Sequence, residues 1–333
     1  MADFRLLQQL FELYAKTNEL PTRDALLTRI DGALSALQYE RGGIRDLKKL
    51  SSLPLVVVPD LHGRRDFFYS LLLWHLPPSF RSSLAMPVPD EPLLSLLMEG
   101  LVCIVSVGDL FHSEGRGKDR WLKAYADYLH GDVISAPMRE EMCENLNLLQ
   151  MVMLLQLPFS DIFVCLKGNH ENIMNKTADG DFAFRKFAEE GEQVRAFMDA
   201  TYGRDVSEKI REWEQILPLC AVYKNCVVSH AEPLHPYSRD EIISMESDAV
   251  YGLTWTRNGE AEEDSVEKTL GGLLDRPAAE NAVWLSGHRP VEGSYALRQG
   301  GRLIQIHNPW KQQVALVTGA RRFNPETDIF EVR

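Results

Sequence analysis

Leu55-Val56-Val57-Val58-Pro59-Asp60-Leu61-His62-Gly63 is the stretch that decides the fold. A short run rich in Val ends abruptly at two side chains that can bind a metal. Such a run is typical of a strand that is buried on both faces. In sheets flanked by helices, ligands bind in the crevice at the carboxyl ends of the strands. Taken alone, the stretch is also compatible with an ordinary turn Asp next to an incidental His.

The same pattern recurs five more times along the chain. Each further apolar run ends at a side chain able to bind a metal, and the pairs are 101–107 with Asp109, 162–166 with Asn169-His170-Glu171, 226–229 with His230, 282–286 with His288, and 303–306 with His307. One Asp or His at a strand end means little. Six such endings in series predict one polynuclear metal site, built from the loops at the strand ends.

Helical patterns alternate with these predicted strands. Apolar residues at three- and four-residue spacing predict helices over residues 67–76, 93–99, 118–157 and 181–216. Residues 4–50 are also interpreted as helical, with the second helix ending at Arg41-Gly42-Gly43. We therefore expect an N-terminal helical extension over residues 1–50 that packs on the main domain or serves as an arm for a protein partner. The alternation itself predicts an α/β fold with mixed sheets.

The composition limits the classes of function. The chain has 333 residues and an ordinary apolar content of 45%, and its net charge of −12 disfavours a nucleic-acid partner. No apolar run approaches the roughly 18 to 20 residues that span a bilayer, so we expect no membrane partner. The N-terminus does not look like a signal peptide. Five cysteines without a CxxC pair indicate a reducing compartment, and we expect a cytoplasmic protein.

The residue types at the strand ends favour transition-metal chemistry. Asp60 and His62 offer a carboxylate oxygen and an imidazole nitrogen, which suit Mn, Fe or Zn better than Ca or Mg. Asp109 has two oxygens and can bridge two cations, as carboxylates do in two-metal hydrolases. Asn169 is a possible ligand through its carbonyl oxygen, although it could also cap a helix. His170 beside it is a candidate proton donor to a substrate.

In chain order, the strand ends carry D-x-H-G, G-D, G-N-H-E, a later H and a final G-H. Taken together, these motifs resemble the calcineurin-like metallophosphoesterase superfamily, nearest to its Ser/Thr phosphoprotein-phosphatase branch. The motifs run from residue 55 to about residue 308, so the resemblance implies a catalytic domain over residues 51–333. It implies two packed mixed β-sheets flanked by helices, with two divalent or trivalent metal ions at their edge. The motifs assign the ligands in two sets, which are Asp60, His62 and Asp109 for the first ion and Asp109, Asn169, His230 and His288 for the second. His170 would be the general acid.

The chain departs from that branch in its second motif. The family reads G-D-x-V-D-R-G, whereas this chain places the next Arg-Gly pair three positions later, at Arg116-Gly117. Arg116 is therefore the first candidate for gripping phosphate, and Arg289 is the second. The family's Asp before that Arg supports the catalytic His, and either Glu114 or His112 is a candidate to replace it. His307 is left as either a substrate contact or a structural turn.

These observations predict a metal-dependent phosphoesterase acting on phosphate monoesters. The resemblance implies attack by a hydroxide that bridges the two metal ions. The substrate could be a phosphorylated protein, a dinucleoside polyphosphate or a small phosphate ester, and a nuclease is disfavoured by the acidic balance. The competing class is a metal-binding scaffold that no longer turns over substrate. It is disfavoured because every expected ligand and His170 are present.

Overall fold

The structure is a computed structural model that describes residues 4–37 and 42–332. The helices it describes are α1 (Phe4–Lys16), α2 (Arg23–Leu37), α3 (Arg65–Leu73), α4 (Pro78–Arg81), α5 (Leu93–Met98), α6 (Lys118–Leu129), α7 (Ala136–Phe159), α8 (Glu190–Thr201), α9 (Arg204–Ile216), α10 (Arg239–Ile243), α11 (Ser247–Thr254), α12 (Ser265–Leu273), α13 (Arg276–Asn281) and α14 (Pro325–Asp328). Within these residues, no helix combines the length and the hydropathy needed to cross a lipid bilayer.

The strands form two mixed sheets. Their bounds are β1 (Ile44–Asp46), β2 (Leu55–Val58), β3 (Cys103–Ser106), β4 (Phe163–Cys165), β5 (Cys220–Val222), β6 (Cys226–Ser229), β7 (Val283–Ser286), β8 (Ala296–Arg298), β9 (Leu303–Gln305), β10 (Gln313–Val317) and β11 (Ile329–Glu331). One sheet has the order β1-β5-β6-β7-β9-β8 and the other the order β11-β10-β2-β3-β4. All six apolar runs singled out in the sequence are strands, and the predicted fold class is confirmed.

The two sheets pack face to face, and each is covered by helices on its outer side. In β2, Leu55 and Val57 face the other sheet, whereas Val56 and Val58 face the helices. The outer face of the six-stranded sheet packs in the same way, with Trp284 of β7 in a cluster with residues of α11 and α12. Because both faces of these strands are buried, each reads as a continuous apolar run rather than an alternating one.

Each sheet contains three neighbouring parallel strands. In one sheet these are β2, β3 and β4, and in the other they are β6, β7 and β9. Parallel strands place their carboxyl ends at one edge of a sheet. The six loops that follow these ends carry the residues singled out from the sequence, three loops from each sheet.

The N-terminal segment differs from its helical prediction in one place. Residues 44–46 are not helical but form β1, which pairs in parallel with β5 and so belongs to the six-stranded sheet. The apolar faces of α1 and α2 are buried, with Phe11 and Ile30 fully covered, and the two helices pack mainly on α3, α7 and α9. Of the predicted helix stop, Arg41 lies outside the described residues. The division at residue 50 stays a prediction.

Two long predicted helices are interrupted. The helix predicted over 118–157 is divided into α6 and α7, and Gly131 in the connection has a positive φ of 87°. The helix predicted over 181–216 is wrong for residues 181–189. There the backbone N–H groups of Lys186, Phe187 and Ala188 donate to the Glu190 carboxylate instead of continuing a helical ladder.

Candidate metal centre

The structure brings the predicted strand-end residues together in one buried cluster. Asp60 and His62 follow β2, Asp109 follows β3 and Asn169 follows β4, while His230 and His288 follow β6 and β7 of the other sheet. The Asp109 Oδ2 atom is central, since it lies 3.6 Å from His62 Nε2 and 3.4 Å from His230 Nε2. We call Asp60, His62 and Asp109 the first donor group. The second donor group consists of Asp109, Asn169, His230 and His288.

The second donor group is compact. His230 Nε2 lies 2.9 Å from Asn169 Oδ1 and 3.1 Å from His288 Nδ1, and the latter two atoms are 3.0 Å apart. His230 Nδ1 lies 3.0 Å from the Val107 carbonyl oxygen, which can only accept, so Nδ1 carries the proton and Nε2 a lone pair. Lone-pair atoms at these separations repel one another unless a proton or a cation lies among them.

The first donor group is oriented in the same manner. His62 Nδ1 lies 3.1 Å from the Phe111 carbonyl oxygen, so Nδ1 donates and Nε2 faces Asp109 Oδ2 and Asp60 Oδ2, the latter at 3.8 Å. Second partners of this kind fix the tautomer of metal-binding imidazoles. Burial lowers the pKa of His62 to about 3 and that of His230 to about 4, so both rings are neutral at pH 7. Neutral imidazoles are the form that binds a metal.

The cluster also carries an excess of buried negative charge. Burial, together with the neighbouring Glu171 and Asp60 carboxylates, raises the pKa of Asp109 well above its ordinary value. Glu171 is held by the backbone N–H groups of Gly168, Asp109 and Leu110, at 2.7, 2.8 and 2.9 Å. Uncompensated buried carboxylates are costly, and bound cations remove that cost. The donor types, tautomers and charge therefore fit a pair of metal ions.

The backbone around the cluster is strained in a way that aims these side chains. His62, Asp109, His112, Glu114 and His288 all have positive φ values, between 44° and 79°, although none is glycine. Such conformations are uncommon and concentrate at functional sites. The Gly before His288 is required by space, because a Cβ at Gly287 would overlap Asp60 Oδ1. This close approach lets the His288 N–H donate to Asp60 at 2.9 Å.

His170 lies beside the two donor groups. Its Nε2 is 3.8 Å from Asp109 Oδ2, its backbone N–H donates to Asp109 Oδ1, and its ring stacks on Phe184. Burial and the neighbouring rings of His62, His112 and His230 lower its pKa well below the ordinary value. The free protein therefore keeps this imidazole neutral at pH 7.

The structure adds His112 to the neighbourhood of His170. This side chain had no supporting motif beyond the open choice with Glu114, yet it is fully buried, with its ring centroid 5.3 Å from that of His170. Its Nε2 lies 3.5 Å from Glu190 Oε1, and its Nδ1 accepts from the Glu114 N–H. The Glu114 carboxylate, by contrast, contacts His307, Lys186 and, at 3.6 Å, His62 Nε2. The histidines at 75, 130 and 235 lie elsewhere, paired with Asp90, the Ala126 carbonyl and Asp248.

The two arginine candidates differ in their surroundings. Arg116 is largely exposed, pairs with Glu144 at 2.7 Å and donates to the His62 carbonyl. Arg289 follows His288 directly and is half-buried, and within the described chain it has no ion-pair partner. Its charged neighbours include Arg257, Glu260 and Asp109. Among the described residues Arg289 is thus a cation without a salt bridge beside the donor groups, whereas Arg116 is already paired with Glu144.

Comparisons with known proteins agree with this architecture. No protein-family model matches the chain, and no curated protein matches it. Among solved structures, a Ser/Thr phosphatase from Saccharomyces cerevisiae with similarity to human phosphatase PP5 superposes with a TM-score of 0.59 at 15% identity, covering 99% of this chain and 95% of that one.

Two further solved structures match the chain more weakly. A cold-active protein-tyrosine phosphatase from a Shewanella species has a TM-score of 0.43 at 11% identity, covering 87% of this chain and 82% of that one. A metallophosphoesterase from Sphaerobacter thermophilus has a TM-score of 0.33 at 13% identity, with coverage of 84% and 88%. Both scores are too low to support an argument. The likeness to the yeast enzyme establishes the fold, and the predicted sandwich of two mixed sheets flanked by helices is confirmed.

Proposed function

We propose that the chain is a metal-dependent phosphoesterase that hydrolyses phosphate monoesters in the manner of Ser/Thr phosphoprotein phosphatases. One observation carries the proposal, namely that Asp109 Oδ2 lies between His62 Nε2 and His230 Nε2, at 3.6 and 3.4 Å, on a fold shared with a phosphatase. A carboxylate shared by two donor groups is the arrangement that a two-metal hydrolase needs.

The two donor groups would each hold one ion, and Mn, Fe or Zn suits their mixed oxygen and nitrogen donors. When bound, such a pair would neutralise phosphate oxygens and, by lowering the pKa of water, would supply hydroxide as a nucleophile near neutral pH. Arg64 keeps the loop of Asp60 and His62 in place, because its guanidinium donates to the carbonyl oxygens of Asp60, Leu61 and Lys311.

His170 would protonate the leaving oxygen. Its pKa is lowered in the free protein, so the ring would take up a proton from solvent as a phosphate dianion arrives and favours the imidazolium. His112 stands behind it and is backed by the Glu190 carboxylate. Burial opposes the ionisation of Glu190, but His112 and the backbone N–H groups of Lys186 and Phe187 lower its pKa to about 2. This pair would position His170 through the ring contact of His112, where the family has a single Asp.

We expect Arg289→Gln to lower kcat/KM for p-nitrophenyl phosphate by about 10- to 100-fold, chiefly through KM. The reason is that a hydrogen bond to a charged group contributes about 1.5–3 kcal/mol, and about 1.4 kcal/mol is tenfold. Arg116→Gln is the matched comparison, and its effect should be smaller because Glu144 already occupies that guanidinium. Michaelis kinetics on both variants decide between them. A larger loss in Arg116→Gln would make Arg116 the phosphate contact, as the sequence predicted.

The proposed function is tested by elemental analysis of the purified chain and a substrate screen with added Mn²⁺. We expect two metal ions per chain and turnover of p-nitrophenyl phosphate and phosphopeptides. Preferred turnover of dinucleoside polyphosphates or small phosphate esters would redirect the substrate class while keeping the chemistry. Two bound ions with no turnover of any ester would contradict the enzyme and support the scaffold alternative.

The proposal also covers the partner of the chain and its cellular compartment. A phosphorylated protein or a small phosphate ester is the proposed partner, and a nucleic acid is not. The cytoplasm is the proposed compartment, which is supported by five cysteines that are all buried and free of disulfides. A protein partner on the N-terminal helices stays a prediction, with α1 exposing Leu6 and Leu13 beside its buried face.

A further inference from the structure

His307 belongs to the same cluster, although the proposed function gives it no role. It follows β9, the third parallel strand of the six-stranded sheet, and its side chain is fully buried. Its ring centroid lies 5.4 Å from that of His62. One nitrogen of His307, one nitrogen of His62 and one oxygen of Asp60 all lie within 4.8 Å of one another.

The hydrogen bonds of His307 determine which nitrogen is protonated. Its Nε2 lies 3.0 Å from Glu114 Oε2, and a carboxylate can only accept, so Nε2 carries the proton. Its Nδ1 therefore carries a lone pair. This atom is buried and has no hydrogen-bond partner in the described structure, and its nearest acidic neighbour is Asp60 Oδ1 at 3.9 Å. A buried lone pair left without a partner costs stability unless something else binds it.

Glu114 is itself fixed in place. Lys186 Nζ lies 2.9 Å from its Oε1, and its backbone has a positive φ of 51°. The Glu114 carboxylate is thus held within hydrogen-bond distance of His307 Nε2, from which it accepts. A carboxylate that accepts from the far nitrogen of an imidazole is the arrangement that orients metal-binding histidines.

We infer that His307 is a fourth protein ligand of the cation in the first donor group, bound through Nδ1, and that Glu114 is its positioning residue. The inference rests on the proposed function, because it assumes a cation in the first donor group. The resulting set combines carboxylate oxygens of Asp60 and Asp109 with imidazole nitrogens of His62 and His307. Four such donors suit Zn²⁺ or Mn²⁺ and leave the second donor group unchanged.

Metal affinity tests this role without relying on activity. The full chain is stripped of metal and titrated with Zn²⁺ alone against a competing chelator. We expect His307→Gln to weaken one of two binding events by more than about 100-fold, and Glu114→Gln to weaken the same event by about 10- to 100-fold. His288→Gln should weaken the other event. His130→Gln, at the exposed residue that follows α6, should change neither binding event.

A measurement on the unaltered protein covers the case in which His307→Gln does not fold. In ¹⁵N spectra of the histidine rings, Zn²⁺ should shift the Nδ1 resonance of His307 as the lone pair binds metal. Two unchanged Zn²⁺ affinities in a folded His307→Gln variant, or an Nδ1 resonance that does not respond to Zn²⁺, would overturn the inference and leave the proposed function intact. A chain that binds no divalent metal would overturn both.

Discussion

Asp109→Asn should reduce hydrolysis of p-nitrophenyl phosphate by about 10³-fold or more and lower the bound metal below that of the unaltered chain. Losing one electrostatic contact at a reacting centre already costs about 10²- to 10³-fold. Asp109 serves both donor groups, with Oδ2 at 3.6 Å from His62 Nε2 and 3.4 Å from His230 Nε2. The amide of Asn would point N–H groups or a weaker oxygen at both positions.

The same variant has an opposite expected effect on the metal-free protein. The pKa of Asp109 is raised by burial and by Glu171 and Asp60, so its ionised form opposes folding at pH 7. A neutral Asn removes that repulsion, and the Tm of the metal-free variant should be no lower than that of the unaltered chain. Metal addition should raise the Tm of the unaltered chain more than that of the variant.

The control for Asp109→Asn is Asp132→Asn, a change at an exposed position outside the cluster. It should alter neither activity nor metal content. Full activity in Asp109→Asn, with two ions still bound, would show that the shared carboxylate is not needed. A metal-free Tm far below that of the unaltered chain would instead mean that the activity loss reflects misfolding.

His170→Asn should produce the second large effect, and its size should depend on the leaving group. General acid catalysis typically contributes about 10²- to 10⁴-fold. Phenyl phosphate and phosphoserine peptides have poor leaving groups that need a proton, so we expect a loss of that size with them. p-Nitrophenyl phosphate has a good leaving group, so its loss should be smaller. Kinetics with phenyl phosphate and p-nitrophenyl phosphate on one variant preparation measure the difference.

His130→Asn is the matched control for His170→Asn, because that ring is exposed, hydrogen-bonds the Ala126 carbonyl and belongs to neither donor group. Equal losses with the two aryl esters would contradict a proton-donor role and leave His170 as a contact to the phosphate. Elemental analysis should find the metal content of His170→Asn unchanged, since this residue belongs to neither donor group.

The parts of the fold that were predictable are those in which burial dictates composition. β2 and β6 match their predicted runs residue for residue, because strands buried on both faces must be apolar throughout. The strands outside the six runs were not predicted, whether half-buried like β1 or fully buried like β5 and β10. β1, for example, has the sequence Ile44-Arg45-Asp46, and only its pairing with β5 makes it a strand. Such edge strands depend on tertiary contacts that local sequence does not reveal.

The site residues that follow buried strands were predictable for a related reason. Residues at the ends of buried parallel strands converge by geometry, so Asp60, Asp109 and Asn169 could be grouped from their positions alone. Glu190 could not, because it lies on α8, and only the folded chain places it 3.5 Å from His112. The ion pair between Arg116 and Glu144 could not be predicted either, because only the folded chain brings Glu144 of α7 next to Arg116.

The strand order has a consequence for how the chain matures. β2 lies between β3 and β10 in its sheet, and β10 comprises Gln313–Val317, more than 250 residues further along the chain. Contacts so distant in sequence close slowly and late. Translation must therefore reach at least Val317 before the loop of Asp60 gains both of its sheet neighbours. Under the proposed function, metal binding in a cell would then follow the pairing of β10 with β2.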